Sequence, residues 1–274
     1  MTEVSADHPV VLVGAGKMGG AMLSGWINAG RPAEGFHIVD PAPSADMQDF
    51  AKRHGVVLST APDGSVKPSV VIIAVKPQMM DAVLPTLAAY AAARPAFVSV
   101  AAGTPVATFE AVFGGDAAVV RAMPNTPAQV GRGITIGFAN GGVSADQRAL
   151  VADLLTVTGA FDWVDREELI NAVTAVSGSG PAYVFHMVEA MAAAGVTAGL
   201  EPALALKLAR ATVEGAGELL HQSDLGADVL RQNVTSPGGT TAAALAILMA
   251  ENGLTPLMTD AVAAAKQRAD ELSG

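Results

Sequence analysis

The sequence predicts two domains of different class: an α/β N-terminal domain built on a parallel sheet, followed by an all-α C-terminal domain. Three observations carry this. From Pro9 to about Val164 short β-branched runs alternate with stretches of helical composition, the pattern of βαβ units. After Asp165 the chain turns to long Ala-, Leu- and Met-rich stretches in which Gly and Pro stand only at breaks. The length of 274 residues, with 51% hydrophobic and 15% charged composition, is ample for a core in each. The expected domains are therefore residues 1–165 and 166–274.

The strands are expected at Val10 to Val13, Phe36 to Val39, Val70 to Val75, Ala96 to Val100 and Ala118 to Arg121. Gly and Pro punctuate the segments between them, which are long enough for crossovers. Two further strands are expected within Gly133 to Phe138 and Ala160 to Val164. A helix starting at Ser144 fits between those two, with Asp146 early and Gly159 after its end. The second half reads as five helical stretches: Arg166 to Ala175, Pro181 to Ala194, Pro202 to Leu220, Thr241 to Glu251 and Pro256 to Leu272. Their polar faces are narrow, so a single thin layer would leave much apolar surface in water. Burial in a subunit interface is the expected outcome, with packing on the first domain as the alternative.

Composition excludes several partners and chemistries. With 16 basic against 26 acidic residues and a net charge of −10, the chain lacks the cation surplus that nucleic-acid binding requires. An anionic ligand must be met by local donors. The absence of cysteine removes disulfides, thiolate metal sites and a cysteine nucleophile. His8, His37, His54, His186 and His221 are scattered without metal-ligand spacing, so no metal is expected. The apolar runs are strand-sized, well short of the ~20 residues of a membrane span. The start, Met1-Thr-Glu-Val-Ser-Ala-Asp-His8, does not resemble a signal peptide, and a cytoplasmic protein is expected.

Gly14-Ala-Gly16-Lys-Met-Gly19 follows the first strand and opens the helical stretch Met18 to Asn28, the context that a dinucleotide fingerprint needs. Its glycines permit a tight turn, close approach of a pyrophosphate to backbone, and close helix–strand packing. Asp40 ends the second strand roughly 20 residues further on, where a carboxylate accepts hydrogen bonds from the adenine ribose. The segment after it, Pro41-Ala-Pro-Ser-Ala, has no cation for a 2′-phosphate, which favours NADH over NADPH, although Ser44 could bond one. Asp40 as a plain turn aspartate is the alternative. Ala74-Val-Lys-Pro77, Val100-Ala-Ala-Gly103 and Met123-Pro-Asn-Thr-Pro127 lie at the carboxyl ends of other strands, the edge where open α/β sheets bind ligands. Lys76 is open to two readings there, a cofactor contact or a solvated charge. Asn125 is one placed polar group among rigid walls.

In the second half, Asn233-Val-Thr-Ser-Pro-Gly-Gly-Thr-Thr241 runs into the apolar helical stretch Ala242 to Ala250. Pro237 cannot extend a helix backwards, and Gly238 and Gly239 allow close main-chain approach. The first turn beyond leaves N–H groups unpaired beside the hydroxyls of Ser236, Thr240 and Thr241. By itself the segment is either an anion site or an ordinary Ser/Thr-capped turn.

These motifs together, with Ser177-Gly-Ser-Gly-Pro-Ala-Tyr183, strongly resemble the pyrroline-5-carboxylate reductase family over almost the whole chain, and Val234 to Thr241 is the most specific stretch. The resemblance implies a Rossmann-type N-terminal domain, an all-α dimerisation domain and use of NADPH or NADH to reduce a cyclic imine to L-proline. It implies cofactor contacts from Val13, Gly14, Ala15, Gly16, Lys17 and Met18, from Asp40 and Pro41, from Ala74, Val75, Lys76 and Pro77, and from Val100, Ala101 and Ala102. Asn125 is a weaker addition. It implies substrate contacts from Glu167, Asn233, Ser236, Gly239, Thr240 and Thr241, and a homodimer, possible unit of a higher homo-oligomer. Glu167 alone would read as the acidic start of a helix. The Ser177 segment either lines the site, with Ser179 its polar member, or bends two helices.

Imine reduction needs a hydride on carbon, a proton on nitrogen and a held substrate. The substrate carboxylate is expected on the N–H groups of Gly238 to Thr241, and Thr241 at the ring nitrogen. A threonine is a poor acid, so Thr241 is a positioning group or relay. Two other readings stay open at this level: a related hydroxyacid dehydrogenase, for which no motif lysine stands in the helical half, and a catalytically silent dinucleotide-binding regulator.

Overall fold

The structure, a computed structural model, describes residues 4–273; the first three residues of the start Met1 to His8 lie outside the described residues. Eight strands form one sheet: β1 (Val10–Val13), β2 (Phe36–Val39), β3 (Val57–Ser59), β4 (Val70–Ile73), β5 (Ala96–Ser99), β6 (Val119–Met123), β7 (Gly133–Ala139) and β8 (Gly159–Trp163). Their order is β3-β2-β1-β4-β5-β6-β7-β8, so the chain reverses its direction of travel across the sheet between β1 and β4. The first six are parallel.

β7 departs from the expected parallel sheet: it runs antiparallel to β6. Only residues 124–132 connect the two, too short for a crossover of a dozen or more residues. β8 is parallel to β7 because α5 (Ala145–Leu155) lies between them. β4 and β5 also end earlier than expected, at Ile73 and Ser99, where the chain leaves the ladder for the loops of the sheet edge.

The other helices of this part are α1 (Lys17–Asn28), α2 (Ala45–His54), α3 (Met80–Leu87) and α4 (Val106–Phe113). Ser44 caps α2 by accepting from Met47 N–H, and Ser144 and Gln147 cap α5 reciprocally. β1 and β4 are buried at every position, so their alternate residues feed two cores. Leu12, Ile38 and Ile72 face Met22, Trp26 and Leu154, while Val11, Val71 and Ile73 face Leu84, Tyr90 and Phe109. Trp26 stacks on Phe36 at 4.9 Å and donates to the Leu154 carbonyl at 2.7 Å, fixing α1 against α5.

The rest is helical: α6 (Leu169–Val173), a π-helical turn over residues 174–178, α7 (Gly180–Thr197), α8 (Pro202–Gln222), α9 (Ala227–Asn233), α10 (Thr240–Leu248) and α11 (Leu254–Leu272). α9 has no counterpart among the five expected stretches. Two compact units divide between Gly178 and Ser179 and again between Ala264 and Ala265. The division falls beyond the change of composition at 165, because α6 packs on β6 and β7 and the buried Asn171 donates to Asp270 at 2.8 Å.

The second unit is poor in core. α7, α9 and α10 hold no buried residue, and in α8 only Ala205 and Ala209 are buried. Phe185 is 65% exposed and Ile247 74%, with Met187, Met191, Leu219 and Leu248 also exposed. Apolar surface on this scale marks an association surface.

One half-buried titratable group makes folding pH-dependent. His37, in the middle of β2, has its pKa lowered from the ordinary value of 6.5, chiefly by burial, with Asp63 opposing. A depressed folded-state value means that, between that value and 6.5, the unfolded chain binds more protons than the folded one. Stability is therefore full above pH 6.5 and falls as pH drops through the lowered value. Urea unfolding of His37→Gln between pH 5 and 7 is expected to show a flatter slope than the parent; an unchanged slope would contradict this.

Candidate active site

The carboxyl edge of the sheet gathers segments far apart in sequence. Gly14 N–H donates to Val39 O at 2.9 Å, Ala74 N–H to Val13 O at 2.8 Å, Asp40 N–H to Ser59 O at 2.9 Å and Val100 N–H to Ile73 O at 3.1 Å. Val13 to Met18, Asp40, Pro41, Ala74 to Pro77 and Val100 to Ala102 thus leave neighbouring strand ends. The turn has its shape because Gly14 adopts φ +86°, and a Cβ there would stand 3.0 Å from the Ala74 carbonyl and 2.9 Å from Val75 Cγ1. A Cβ at Gly19 would collide with the Gly14 carbonyl.

Whether this edge suits a dinucleotide is tested by Gly16. A Cβ there would meet no heavy atom within 4 Å, and Gly16 caps α1 with no side chain. An open space thus stands over the uncapped first turn of a helix, whose leading N–H groups have no intrahelical partner. A pyrophosphate fits that chemistry. Ala15 N–H is committed elsewhere: it donates to Asp40 Oδ2 at 2.9 Å, while Ala42 N–H donates to Asp40 Oδ1 at 2.9 Å. Lys76 is exposed at the start of a short helical turn. Asn125 Oδ1 accepts from Ile134 N–H at 2.9 Å, so its carbonyl is spent holding the loop to β7. A hollow of about 680 Å³ lies at the opposite edge, lined by His8, Ser69, Arg94 and Asp116 among others. It touches none of the strand ends just described.

Glu167 is tied into the first unit in a way the sequence does not announce. Its Oε1 accepts from the buried Arg121 guanidinium at 2.7 Å and from Val106 N–H, the first residue of α4, at 2.8 Å. One carboxylate thus links the middle of β6, the start of α4 and the entry to α6. The sequence expects the strand to end at Arg121, but β6 continues to Met123 because pairing with the antiparallel β7 extends the ladder past it. The signal of Arg121, a cation closing an apolar run, is too weak to single out.

In the second unit, Asn233 ends α9 and Thr240 begins α10. Gly238 adopts φ +70°, and Gly239 N–H donates to Ser236 O at 3.0 Å, closing the turn. A Cβ at Gly239 would stand 2.5 Å from Ser236 Oγ, so Ser236 packs over the chain there. Thr235 Oγ1 donates to Arg231 O at 2.6 Å, fixing the turn to α9. Gly239 provides no side-chain cap, so the first N–H groups of α10 are left for an anion, with Thr241 half-buried beside them. Asn233, Ser236, Gly239, Thr240 and Thr241 thus belong to one continuous turn. Among the described residues no cluster of His, Asp or Glu could hold a metal ion.

Comparison with known proteins agrees over the full length. A family model described as "Pyrroline-5-carboxylate reductase dimerisation" matches residues 167–272, and one described as "NADP oxidoreductase coenzyme F420-dependent" matches residues 9–103. The chain is 39% identical to a pyrroline-5-carboxylate reductase of Pseudomonas aeruginosa, covering 96% of each chain. It is 40% identical to one of Synechocystis, covering 95% of this chain and 97% of that one. Among solved structures, a pyrroline-5-carboxylate reductase from Coxiella burnetii superposes with TM-score 0.89 at 34% identity, covering 98% of this chain and 99% of that one. A Plasmodium falciparum pyrroline carboxylate reductase with NADP bound gives TM-score 0.79 at 27% identity, covering 98% and 100%. The dimerisation match and the exposed apolar helices of the second unit agree on homo-oligomerisation.

The Arg121 and Glu167 pair is open to a double-mutant cycle. Arg121→Met should lower stability by about 2 kcal/mol, below the cost of breaking a fully buried pair because the Glu167 carboxylate left without its charge partner is only part-buried. Glu167→Gln combined with it should cost less than the sum of the two. Urea unfolding measures both; strict additivity would show the pair to be uncoupled.

Proposed function

The chain belongs to the pyrroline-5-carboxylate reductase family, and on that premise we propose that the residues described above carry the reduction of 1-pyrroline-5-carboxylate to L-proline, the last step of proline biosynthesis. It is an oxidoreductase using NAD(P)H. The overall change is imine, reduced nicotinamide and one proton to proline and oxidised nicotinamide. The observation that carries the assignment of residues is the turn into α10: a left-handed Gly238 leading to an uncapped helix start, in a member of this family.

Bound at the carboxyl edge of the sheet, the cofactor supplies the hydride that reduces the imine carbon. This chain's residues bind and orient. Gly14, Gly16, Lys17 and Met18 hold the pyrophosphate at the start of α1, and Ala15 supports the turn through its bond to Asp40. Asp40 and Pro41 flank the adenine ribose. Val13, Ala74, Val75, Pro77 and Val100 to Ala102 form small-residue walls, with Lys76 as a charge at the rim and Asn125 shaping its loop.

The substrate carboxylate docks on the N–H groups of Thr240 and Thr241, where the dipole of α10 favours negative charge. Gly239 lets Ser236 fold over the start of α10, which brings the Ser236 hydroxyl to the docking turn, and Asn233 offers a second polar group from the same segment. Thr241 Oγ1 hydrogen-bonds the ring nitrogen and sets its direction. Glu167 contributes a carboxylate whose Oε2 is not used by Arg121 or Val106. As functional domains we assign residues 1–165 to cofactor binding and 166–274 to substrate binding and dimerisation. The unit of assembly is a homodimer, and its place of action is the cytoplasm. Among the described residues no helix is long and apolar enough to cross a membrane.

Thr241→Ala is expected to lower kcat/KM for 1-pyrroline-5-carboxylate at least tenfold, about 1.4 kcal/mol of transition-state stabilisation, while Thr241→Ser retains most of it. A positioning role leaves the pH dependence of kcat in place, whereas a proton relay shifts it. Cofactor oxidation at the reduced-nicotinamide band, with proline quantified, measures all of this. Unchanged kcat/KM in Thr241→Ala would remove Thr241 from the site.

A further inference from the structure

We infer that Asp40 makes this site select NADH over NADPH, because two main-chain donors pin its carboxylate where a 2′-phosphate would have to sit. The inference rests on the dinucleotide reading above and adds which dinucleotide.

The carboxylate is not a free surface charge. Oδ2 accepts from Ala15 N–H in the glycine-rich turn and Oδ1 from Ala42 N–H in the loop after β2, both at 2.9 Å. Its own N–H donates to Ser59 O at 2.9 Å, so the backbone is fixed by β3 as well. Each carboxylate oxygen keeps a second lone pair, so the group still accepts from the two hydroxyls of a ribose. A 2′-phosphate offers two negative charges and at most one proton in place of a neutral donor. To admit it the carboxylate would have to swing away, leaving two N–H groups without their acceptor.

The segment that follows β2 supplies no compensating cation, and the one lysine of the glycine-rich turn, Lys17, stands at the start of α1, where the pyrophosphate claims it. From Pro41 to Ala51 there is no lysine or arginine, and Asp46 stands in the first turn of α2 with Asp49 after it. Ser44, the one hydroxyl in the loop, serves as the cap of α2 by accepting from Met47 N–H; it could donate a single hydrogen bond to a phosphate but brings no charge. The nearest cations in sequence are engaged or distant: Arg31 pairs with Asp153 at 2.8 Å, and Lys52 lies in the last turn of α2, away from Ser44. The positive end of the α2 dipole alone favours a phosphate, and Asp46 sits in that same turn to oppose it.

Calorimetric titration of the purified protein with NADH and with NADPH, beside Asp40→Ser and Asp40→Asn, tests this without turnover. The parent is expected to bind NADH at least tenfold more tightly than NADPH, and Asp40→Ser to bring the two within about threefold. The ligand-free melting temperature of Asp40→Ser should also fall, since Ala15 and Ala42 lose their acceptor. Equal affinities in the parent overturn the inference and leave the dinucleotide reading intact. No binding of either nucleotide overturns that reading and this one with it. A folded Asp40→Ser that keeps the parental ratio overturns the assignment to Asp40. If the variants do not fold, the parental ratio still decides.

Discussion

The unpaired N–H groups at the starts of α1 and α10 are the resource on which the proposed chemistry depends. Each start is uncapped and each is entered through a left-handed glycine, Gly14 at φ +86° and Gly238 at φ +70°. The dependence follows from charge. A chain of net charge −10 has few cations to lend to a pyrophosphate or a substrate carboxylate: Arg31, Arg94, Arg121 and Arg166 are among those taken up in ion pairs, and at the start of α1 only Lys17 adds a charge to the main-chain donors. Helix starts carry partial positive charge without a lysine or arginine, and they carry it in a fixed direction. An anion held this way is oriented as well as bound, which is what transfer to one face of a flat imine requires.

For α1 that arrangement rests on the sheet. Position 14 must be glycine because β1 and β4 are neighbours and the Ala74 carbonyl leaves no room for a side chain. Burial of both strands on both faces fixes their register, so the cores under Trp26 and under Phe109 position the turn as much as the glycines do. The Arg121 and Glu167 pair does similar work at β6, tying the start of α4 to the entry of α6. The second unit shows the opposite economy: with Phe185, Ile247 and Leu248 exposed, its helices acquire a core only by associating.

Much of the fold was legible because strand runs bounded by Gly and Pro leave a local trace. β1 and β2 match their expected limits residue for residue. β3 left none, being three residues at a sheet edge with Val57 44% exposed. The direction of β7 was missed because residue pattern does not encode direction; only the short 124–132 connection does. α9 is seven residues with no apolar run of its own. In the site, the glycine turn and the turn into α10 were legible in shape, while the identity of the ligands came from resemblance to a family. Interactions across long separations were invisible: Asp40 meets Ala15 across 25 residues and Glu167 meets Arg121 across 46. Nothing in a local window distinguishes those carboxylates from surface charges.

Amide hydrogen exchange, resolved by residue, tests most directly the claim that the main chain itself holds both anions. Exchange is expected to slow at Gly16 to Gly19 when NADH is added and at Thr240 to Ala242 when proline is added, with the other helix starts unchanged. Exchange that stays the same at both segments, while both ligands bind, would contradict the account.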